Sequence, residues 1–398
     1  MVKDRLRIAY LCDMSPLDRN LYSGGNARIH DALKTHVGDV TILSNSWGLA
    51  EPLRRLILKL PDALNLRLRW RIHLLLAPLI ARKVRAELAR GQYDVLFCAY
   101  SFQSLCRVRP PYPLVSVYTS DATQTTYRAS EIGAYHKTYL RIGRLMDGWV
   151  ERCEKRTFSN TDLLLWPSKW QKDLADTRYG LTADHSILVP WGANLAKPAP
   201  RITPTEISRD KPVRLLLIGR DWFAKGGPVA FDTMKLLRAQ GIDARLTVIG
   251  CQPPPFHLNE FVKVYKQLDK AIPEQLAQFE RELDNAHFLV QPSMESYGFA
   301  FCEASAHGLP SLCLRVGGVP IREGINGHAL PMGSGPDAFA AKVQHYLDHP
   351  DAYVALTLTA RQEYRERLNW DTWGETVAAL LNQTIQARGL ADQPTSRP

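Results

Sequence analysis

The chain has 398 residues, of which 45% are hydrophobic and 23% are charged, and this composition indicates a globular protein large enough for two or three domains. Its formal net charge of +10 comes from the first half, because residues 1–190 carry 28 Lys and Arg against 18 Asp and Glu. The chain has seven scattered cysteines without a CxxC pair, no signal-peptide pattern and no apolar run longer than ten residues, so we expect a cytoplasmic protein without a disulfide framework, a zinc ribbon or a membrane span.

Short apolar runs alternate with amphipathic stretches along the chain, which is the pattern of parallel sheets covered by helices. Ten runs are predicted to be strands, at residues 6–12, 39–44, 94–99, 114–119, 163–168, 186–191, 213–219, 244–250, 287–293 and 310–316. The polar, Pro-rich segment 198–212 is predicted to be a linker. We therefore expect an α/β protein with two Rossmann-like doubly wound domains, residues 1–197 and 213–370, which face each other across a cleft and are followed by a final helix at 371–388.

Residues 51–90 form a strongly basic segment with ten Lys and Arg against three acids. Between residues 54 and 85 the cations are interleaved with Leu, Ile and Trp, as in helices that lie on an anionic membrane surface. An ordinary solvated helical face explains the pattern equally well, so both interpretations stay open. We expect no nucleic-acid partner, because no base-reading motif accompanies the charge.

Two predicted strand ends are followed by glycine-containing loops. After the first strand, Gly24 and Gly25 precede a predicted helix and would let a phosphate or sugar approach the backbone. After the seventh strand, Gly219 is followed by Arg220 and Lys225 within one loop. Two fixed cations can neutralise a diphosphate and stabilise it as a leaving group. The alternative is that both cations are ordinary solvated surface charges.

The segment 290–313 is predicted to turn from a buried strand into a helix. Glu295 falls in the turn and Glu303 on the helix, and helical spacing would separate them by about 12 Å, roughly the reach of a sugar nucleotide. Each carboxylate could bind hydroxyls at one end of such a ligand, with its phosphates on the backbone N–H groups between them. These N–H groups belong to Tyr297, Gly298 and Phe299. The alternative is that Glu295 caps the helix and Glu303 faces solvent.

Two other kinds of chemistry find little support. Gly333, Gly335 and Ala338 match a dinucleotide-binding pattern, but they lie late in the chain and Pro336 is better explained as the first residue of a helix. Neither HExxH nor the D-x-D pair of metal-dependent sugar transferases occurs, so we expect no metal and no cofactor.

Several of these motifs together resemble the donor domain of glycosyltransferase family 4, whose members are retaining enzymes of the GT-B fold. Glu295 and Glu303 match the E-x7-E signature of that family. The resemblance covers roughly residues 6–45 and 94–385 and is most specific in the second half. The matching motifs are IGR at 218–220, PSMESYGFAFCEASAHGLP at 292–310, VGGVP at 316–320 and GINGHAL at 324–330.

The resemblance implies transfer of a sugar from a nucleoside diphosphate sugar to a saccharide or lipid-linked acceptor, with retention of configuration. Glu295 would contact donor-sugar hydroxyls and Glu303 the ribose hydroxyls. Arg220 and Lys225 would bind the diphosphate, helped by the amides near Gly298 and by Gly25. The leaving diphosphate would assist the incoming hydroxyl, and the final helix would cross back to the first domain. A lipid-linked acceptor would also suit peripheral contact with the inner face of the membrane.

The sequence departs from the family pattern at several positions. Thr119 or Ser120 stands where many relatives have a histidine that contacts the donor sugar, and the VGGVP segment lacks the glutamate that usually follows it. Asp121 is the candidate for a polar residue at the reacting centre, and a turn or helix-cap role is the alternative. These departures keep two rivals open, namely a non-catalytic sugar-nucleotide-binding protein and a sugar-nucleotide epimerase or phosphorylase on the same scaffold.

Overall fold

The structure is a computed structural model that describes residues 5–44, 46–60, 62–135, 146–195 and 206–390, and the side chains of all of these except 62–68. The described residues form two compact units, one up to Pro190 and again from Trp370 onwards, the other from Trp191 to Asn369. We expected the first domain to reach residue 197, but Trp191 and Leu195 are buried among side chains of the second unit. Residues 198–205 of the predicted linker lie outside the described residues.

The N-terminal unit contains a six-stranded parallel sheet in the order β2-β1-β3-β4-β5-β6 within the described residues. The chain order reverses between β1 and β3, which are adjacent in the sheet. In such sheets the loops that follow the two strands at this switch point diverge and leave room for a ligand. The strands are β1 Leu6–Leu11, β2 Gly38–Ile42, β3 Val95–Ala99, β4 Val115–Thr119, β5 Leu163–Trp166 and β6 Ser186–Leu188.

The second unit contains another six-stranded parallel sheet among the described residues, in the order β12-β11-β10-β7-β8-β9. Numbered within the unit, this is the 3-2-1-4-5-6 order of dinucleotide-binding folds, and its switch point lies between β7 and β10. The strands are β7 Val213–Ile218, β8 Ala244–Ile249, β9 Val262–Tyr265, β10 Phe288–Gln291, β11 Ser311–Leu314 and β12 Gly327–Leu330.

Helices cover both sheets. In the N-terminal unit the described helices are α1 Gly25–His36, α2 Glu51–Ile57, α3 Asp62–Leu75, α4 Ala77–Arg90, α5 Phe102–Leu105, α6 Gln124–Ala129, α7 Glu131–Tyr135, α8 Asp147–Ser159, α9 Lys169–Tyr179 and α15 Trp370–Ala387. In the second unit they are α10 Gly227–Ala239, α11 Pro273–Asn285, α12 Phe299–Ala306, α13 Pro336–Asp348 and α14 Pro350–Glu366. The final helix α15 packs on α1, where Gly374 makes room for the ring of His36.

Burial on both faces explains why the central strands are continuously apolar rather than alternating. Leu215 and Leu217 of β7 pack in one core cluster, whereas Leu216 packs in the cluster on the other face of the sheet. All ten predicted strands are present, within a few residues of their predicted ends. The sequence did not predict β9 and β12, which are the two edge strands of the second sheet and are short.

The start of one helix, the state of the cysteines and the apolar character of the helices bear on expectations from the sequence. Helix α13 begins at Pro336, as expected for proline at the first helical position. All seven cysteines are free thiols. None of the helices in the described part of the chain combines the length and apolar character needed to cross a bilayer.

Candidate active site

The predicted donor-site residues of the second unit gather at the switch point of its sheet. The loop from Gly219 to Gly226 follows β7, and the segment from Pro292 to Gly298 follows β10. Because β7 and β10 are adjacent parallel strands, both loops leave from the carboxyl edge of the sheet at neighbouring positions. The sequence therefore folds two motifs that are about 70 residues apart into one site.

Lys225 and Glu295 form a salt bridge that joins these two loops. The Lys225 ammonium contacts Oε1 of Glu295, which also accepts a hydrogen bond from the Ser293 hydroxyl at 2.8 Å. The Gln291 amide, at the end of β10, donates to the same oxygen at 3.4 Å. These contacts fix the orientation of the Glu295 carboxylate, and the side chain is 14% exposed to solvent. A carboxylate held in this way can accept hydrogen bonds from ligand hydroxyls.

The alternative helix-cap role for Glu295 is excluded by this geometry. Helix α12 begins at Phe299 after Gly298, and no side chain among the described residues caps it. The N–H groups of Phe299 and Ala300 are therefore open to an anion, whereas that of Phe301 donates to the carbonyl of Gly298 at 3.3 Å. Glu295 lies in the turn and Glu303 on the helix, as predicted, but the helical spacing of about 12 Å does not apply between them, because residues 295–298 are not helical.

Glycines allow the two loops to approach each other closely. A Cβ on Gly226 would lie 2.4 Å from the carbonyl oxygen of Pro292, and Gly226 also has a left-handed φ of 74°. A Cβ on Gly219 would lie 2.3 Å from Cγ of Lys225, so the lysine stem crosses the end of β7 only because residue 219 has no side chain. Both glycines therefore determine where the Lys225 ammonium lies.

Glu303 has a different environment from the one expected. Its side chain is 4% exposed, and its Oε1 accepts from the Lys270 ammonium at 2.5 Å. Lys270 also donates to the carbonyl of Asn194 at 3.4 Å and lies over the ring of Phe279. The interpretation of Glu303 as a solvent-facing helix residue is therefore wrong. Lys270 precedes α11 and was missed, because a lone lysine in a loop carries no signal of its burial partner.

The aromatic residues beside Gly298 stabilise the turn through their side chains. The Tyr297 hydroxyl donates to the carbonyl of Trp191 at 2.6 Å, and burial raises the pKa of Tyr297 well above its usual value. Trp191 stacks on Phe299 with ring centroids 5.9 Å apart. Helix α12 begins at Phe299, so Phe299 contributes an N–H group to its first turn, whereas Tyr297 lies before the helix.

Two other predicted elements lie in the same unit. Arg220 directly follows Gly219 and its side chain is exposed. The Gly317–Gly318 loop is joined to the glutamate segment, because the N–H of Gly318 donates to the carbonyl of Ser296 at 3.1 Å. The switch point of the second sheet thus collects two cations, two carboxylates and an uncapped helix N-terminus.

The remaining predicted residues, Gly24, Gly25 and Asp121, belong to the N-terminal unit. Gly24 has φ 83° and immediately precedes α1, which begins at Gly25. Asp121 follows β4 and is half-buried. Of its neighbours, Thr119 donates to the carbonyl of Leu165, and Ser120 donates to that of Ala122.

A polar cluster that the sequence did not predict surrounds these loops. Asp13 lies two residues after the end of β1. Its carboxylate accepts hydrogen bonds from the Tyr22 hydroxyl at 2.7 Å and from the Arg69 guanidinium at 3.1 Å. Tyr22 stacks on Tyr100 with centroids 4.1 Å apart. Tyr22, Ser23 and Tyr100 all have φ between 51° and 61°, a conformation that costs non-glycine residues energy and often occurs at functional sites. Burial, followed by the charge of Asp121, raises the pKa of Tyr100 well above its usual value.

No candidate metal site is found among the residues that the structure describes. No group of three or more His, Cys, Asp or Glu side chains among them is arranged to hold an ion. The described carboxylates at the switch point are instead paired with lysines.

Two family profiles match this chain in separate regions. Residues 212–349 match the family described as Glycosyl transferases group 1, and residues 27–197 match Glycosyltransferase Family 4. A D-inositol 3-phosphate glycosyltransferase from Corynebacterium glutamicum is 28% identical over 255 residues, which are 58% of this chain and 60% of the relative. The chain spans about a fifth to three fifths of the length of the curated relatives it matches.

Solved structures resemble the fold over nearly its whole length. A sucrose-phosphate synthase from Thermosynechococcus elongatus matches with a TM-score of 0.66 and 19% identity, covering 96% of this chain and all of the other. HepE from Anabaena, solved in complex with UDP and glucose, matches with a TM-score of 0.59 and 15% identity, covering 95% of this chain and all of the other. At these identities the likeness concerns the fold.

Proposed function

The chain belongs to the family 4-like glycosyltransferases of the GT-B fold, and from this premise we propose that it transfers a sugar from a nucleoside diphosphate sugar to an acceptor hydroxyl, with retention of configuration, in glycan or polysaccharide assembly. The observation that carries the proposal is the Lys225–Glu295 salt bridge beside the uncapped N-terminus of α12. In this arrangement the Lys225 ammonium and the helix amides can bind a diphosphate. The Glu295 carboxylate beside them can accept hydrogen bonds from the hydroxyls of the sugar.

In this proposal each residue at the switch point has one task. Lys225, Arg220 and the first amides of α12 bind the diphosphate and stabilise the charge that develops when the bond between the sugar carbon and the phosphate oxygen breaks. Glu295 holds the sugar through its hydroxyls. Glu303 accepts from the ribose hydroxyls with its second oxygen while Lys270 keeps the first. No metal or other cofactor takes part in the proposed reaction.

The acceptor oxygen bonds to the sugar carbon on the face that the diphosphate leaves, and the proton of the acceptor hydroxyl passes to a diphosphate oxygen. No carboxylate nucleophile is needed. We assign the acceptor to the N-terminal unit, with Asp121 as the polar residue at the reacting centre, and we keep Gly24 and Gly25 as donor-binding residues. The relation to HepE, whose structure holds UDP and glucose, supports a nucleotide-sugar donor.

A transfer assay with Glu295→Ala and Lys225→Ala tests the proposal. Release of free nucleotide that depends on acceptor is expected, and each substitution should lower the turnover number at least ~100-fold, because each removes a group that acts on the transition state. Lys263→Ala is the matched control, since Lys263 is an exposed lysine of the same unit that pairs with Glu282.

Three outcomes would contradict the proposal. Full activity of both variants would refute the site. Tight nucleotide-sugar binding without turnover, across acceptors, would favour the non-catalytic binding protein. Conversion of the nucleotide sugar without acceptor would favour the epimerase.

Peripheral contact with the inner face of the membrane is a second part of the proposal. Leu53 and Leu56 of α2 and Leu79 of α4 are between 42% and 62% exposed, and the exposed Arg82 and Arg85 follow Leu79 on α4. Exposed leucines flanked by arginines favour an anionic lipid surface, at about 1 kcal/mol per cation near the surface.

Vesicle sedimentation tests the membrane contact. The wild-type protein should partition onto vesicles that contain anionic lipid and much less onto neutral vesicles. Leu56→Ser with Leu79→Ser should reduce the bound fraction, because both side chains lose apolar contact with the bilayer. Equal partitioning onto anionic and neutral vesicles would argue for the solvated-face interpretation instead.

A further inference from the structure

A cavity of about 690 Å³ lies at the amino ends of β4 and β5 in the N-terminal unit. Leu114 and Asp162, the residues directly before these two strands, are among its lining residues. The loops that carry Gly25 and Asp121 leave from the opposite, carboxyl edge of the same sheet. The cavity has the volume of a small-molecule site but lies away from the edge where doubly wound sheets usually bind their ligands.

Four arginines line this cavity, namely Arg107, Arg109, Arg156 and Arg388. Arg388 donates to Asp162 Oδ2 at 2.9 Å, and that oxygen also accepts from the N–H and the hydroxyl of Ser116. Asp162 is therefore committed to its neighbours. With Asp162 as the acidic residue, the lining carries a net charge of +3.

The other three arginines are not used by the fold. The guanidinium groups of Arg107, Arg109 and Arg156 form no hydrogen bond or ion pair with any residue that the structure describes, and the three residues are exposed. An arginine that contributes to stability usually has a carboxylate or carbonyl partner within reach. Three unpaired guanidinium groups around one cavity concentrate positive potential that the protein does not neutralise itself.

The loop that presents Arg107 and Arg109 is held in place rather than loose. Pro110, Pro111 and Pro113 follow the two arginines and restrict the backbone. Between them, the Tyr112 hydroxyl accepts from the N–H of Tyr93 at 2.9 Å and so ties the loop to the chain before β3. A prearranged wall lowers the entropy lost when a ligand binds.

We propose that this cavity is a second ligand site, which binds a phosphate group carried by a small soluble ligand or by a lipid headgroup. Guanidinium groups pair with phosphate oxygens through two parallel hydrogen bonds, which makes arginine the residue suited to this anion. The cavity is distinct from the residues of this unit that the proposed sugar transfer uses, because it lies at the amino edge of the sheet, whereas Gly25 and Asp121 follow the carboxyl ends of β1 and β4.

Inorganic pyrophosphate is the probe, titrated calorimetrically at constant ionic strength. Lys225→Ala serves as the background, so that binding at the candidate active site is weakened. In this background, Arg107→Gln with Arg156→Gln should raise the dissociation constant at least ~10-fold, because each arginine supplies charge-assisted hydrogen bonds. Arg152→Gln is the matched control, since Arg152 lies one turn earlier on α8, is exposed and does not line the cavity; it should leave binding unchanged.

Equal dissociation constants for the double variant and the Arg152→Gln control would overturn the proposal. Binding of sulfate as tight as that of pyrophosphate would also overturn it, because it would indicate an unspecific anion surface. Unchanged circular dichroism and melting temperature without ligand would show that the double variant is folded.

Vesicles containing phosphatidic acid identify the source of the phosphate. If the lipid headgroup is the ligand, the double variant loses vesicle binding that Arg152→Gln retains. If the ligand is soluble, both variants sediment alike while only the double variant loses pyrophosphate. Either result supports the site, and a double variant that keeps both pyrophosphate and vesicle binding refutes it.

Discussion

Two lysine–glutamate pairs in the second unit show how burial changes the role of the same two side chains. Lys263 pairs with Glu282 at 3.0 Å, and the lysine is 60% exposed. Lys270 pairs with Glu303 at 2.5 Å, and that glutamate is 4% exposed. Both ammonium groups also lie over an aromatic ring, Tyr265 in one case and Phe279 in the other. The pairs therefore differ mainly in the exposure of the lysine, 60% for Lys263 against 28% for Lys270, because both glutamates are largely buried, at 12% and 4% exposed.

Lys270→Met should destabilise the protein by up to roughly 3 kcal/mol, because it leaves the carboxylate of Glu303 buried without a cation. Lys263→Met should cost less than about 1 kcal/mol, because the Lys263 ammonium is largely exposed and Glu282 keeps the hydrogen bonds that it accepts from Tyr265 and Gln278. Adding Glu303→Gln to Lys270→Met should recover most of the loss. Urea unfolding of the four proteins measures these differences.

The opposite ranking of the two lysine variants would contradict this account of Glu303. So would a double variant that is less stable than Lys270→Met alone, since removing the unpaired charge must relieve its desolvation. Either result would also remove the reason for giving Lys270 a positioning role beside the proposed ribose contact.

At the scale of elements, Glu154 links helix α8 to the start of α6. Its Oε1 accepts from the N–H of Gln124 at 2.9 Å, and its Oε2 accepts from the Tyr179 hydroxyl at 2.9 Å. The side chain is fully buried, and this burial raises the pKa of Glu154 to about 7, although the hydrogen bonds that it accepts lower the pKa. The helix that follows Asp121 is therefore packed against a carboxyl group that titrates near neutral pH.

The sign of the pH effect follows from this raised pKa. The folded protein binds the Glu154 proton more tightly than the unfolded chain, so the contribution to stability is fully present below pH 4.5 and is lost as the pH rises through 7. The wild type should therefore lose on the order of 3 kcal/mol relative to Glu154→Gln between these limits.

Thermal unfolding of both proteins between pH 4.5 and 8 measures this difference, since other titrating groups are common to the two. A difference in melting temperature that stays constant with pH would mean that Glu154 is ionised throughout. A difference that grows in favour of the wild type with rising pH would contradict the direction of the pKa shift.

For the whole molecule, a nucleotide-sugar screen reports which donor the folded protein binds. A ligand that binds only the folded state at 100 times its dissociation constant adds about 2.7 kcal/mol, which raises the melting temperature by roughly 5–10 °C for a unit of this size. We expect such a shift with one of the UDP-, GDP- or ADP-sugars and not with the other two at the same concentration.

Lys225→Ala should abolish the shift, whereas Lys263→Ala should retain it, because only Lys225 lies at the switch point. An equal shift in both variants would place donor binding elsewhere. A shift of the same size with all three nucleotides would mean that the site recognises the diphosphate and ribose without reading the base.

The sequence by itself determined most of the secondary-structure elements and was enough to propose candidate donor-site residues. Continuous apolar runs predict buried parallel strands wherever both sheet faces are covered, and this holds for β7 and β10. Glu295, Gly298 and Lys225 could be proposed as site residues because local motifs carry them, each within a few residues of a strand end. Short edge strands such as β9 were not predicted, because half-exposed segments of four residues lack a distinctive hydrophobic pattern.

Only the tertiary structure decided which of these residues meet. The order of strands in the second sheet makes β7 and β10 neighbours and so brings Lys225 to Glu295. Long-range packing likewise buries Glu303 against Lys270 and gathers the unpaired arginines around the cavity at β4 and β5. Local patterns fix what each segment becomes, whereas contacts between distant segments depend on strand order and burial, which no short stretch of sequence contains.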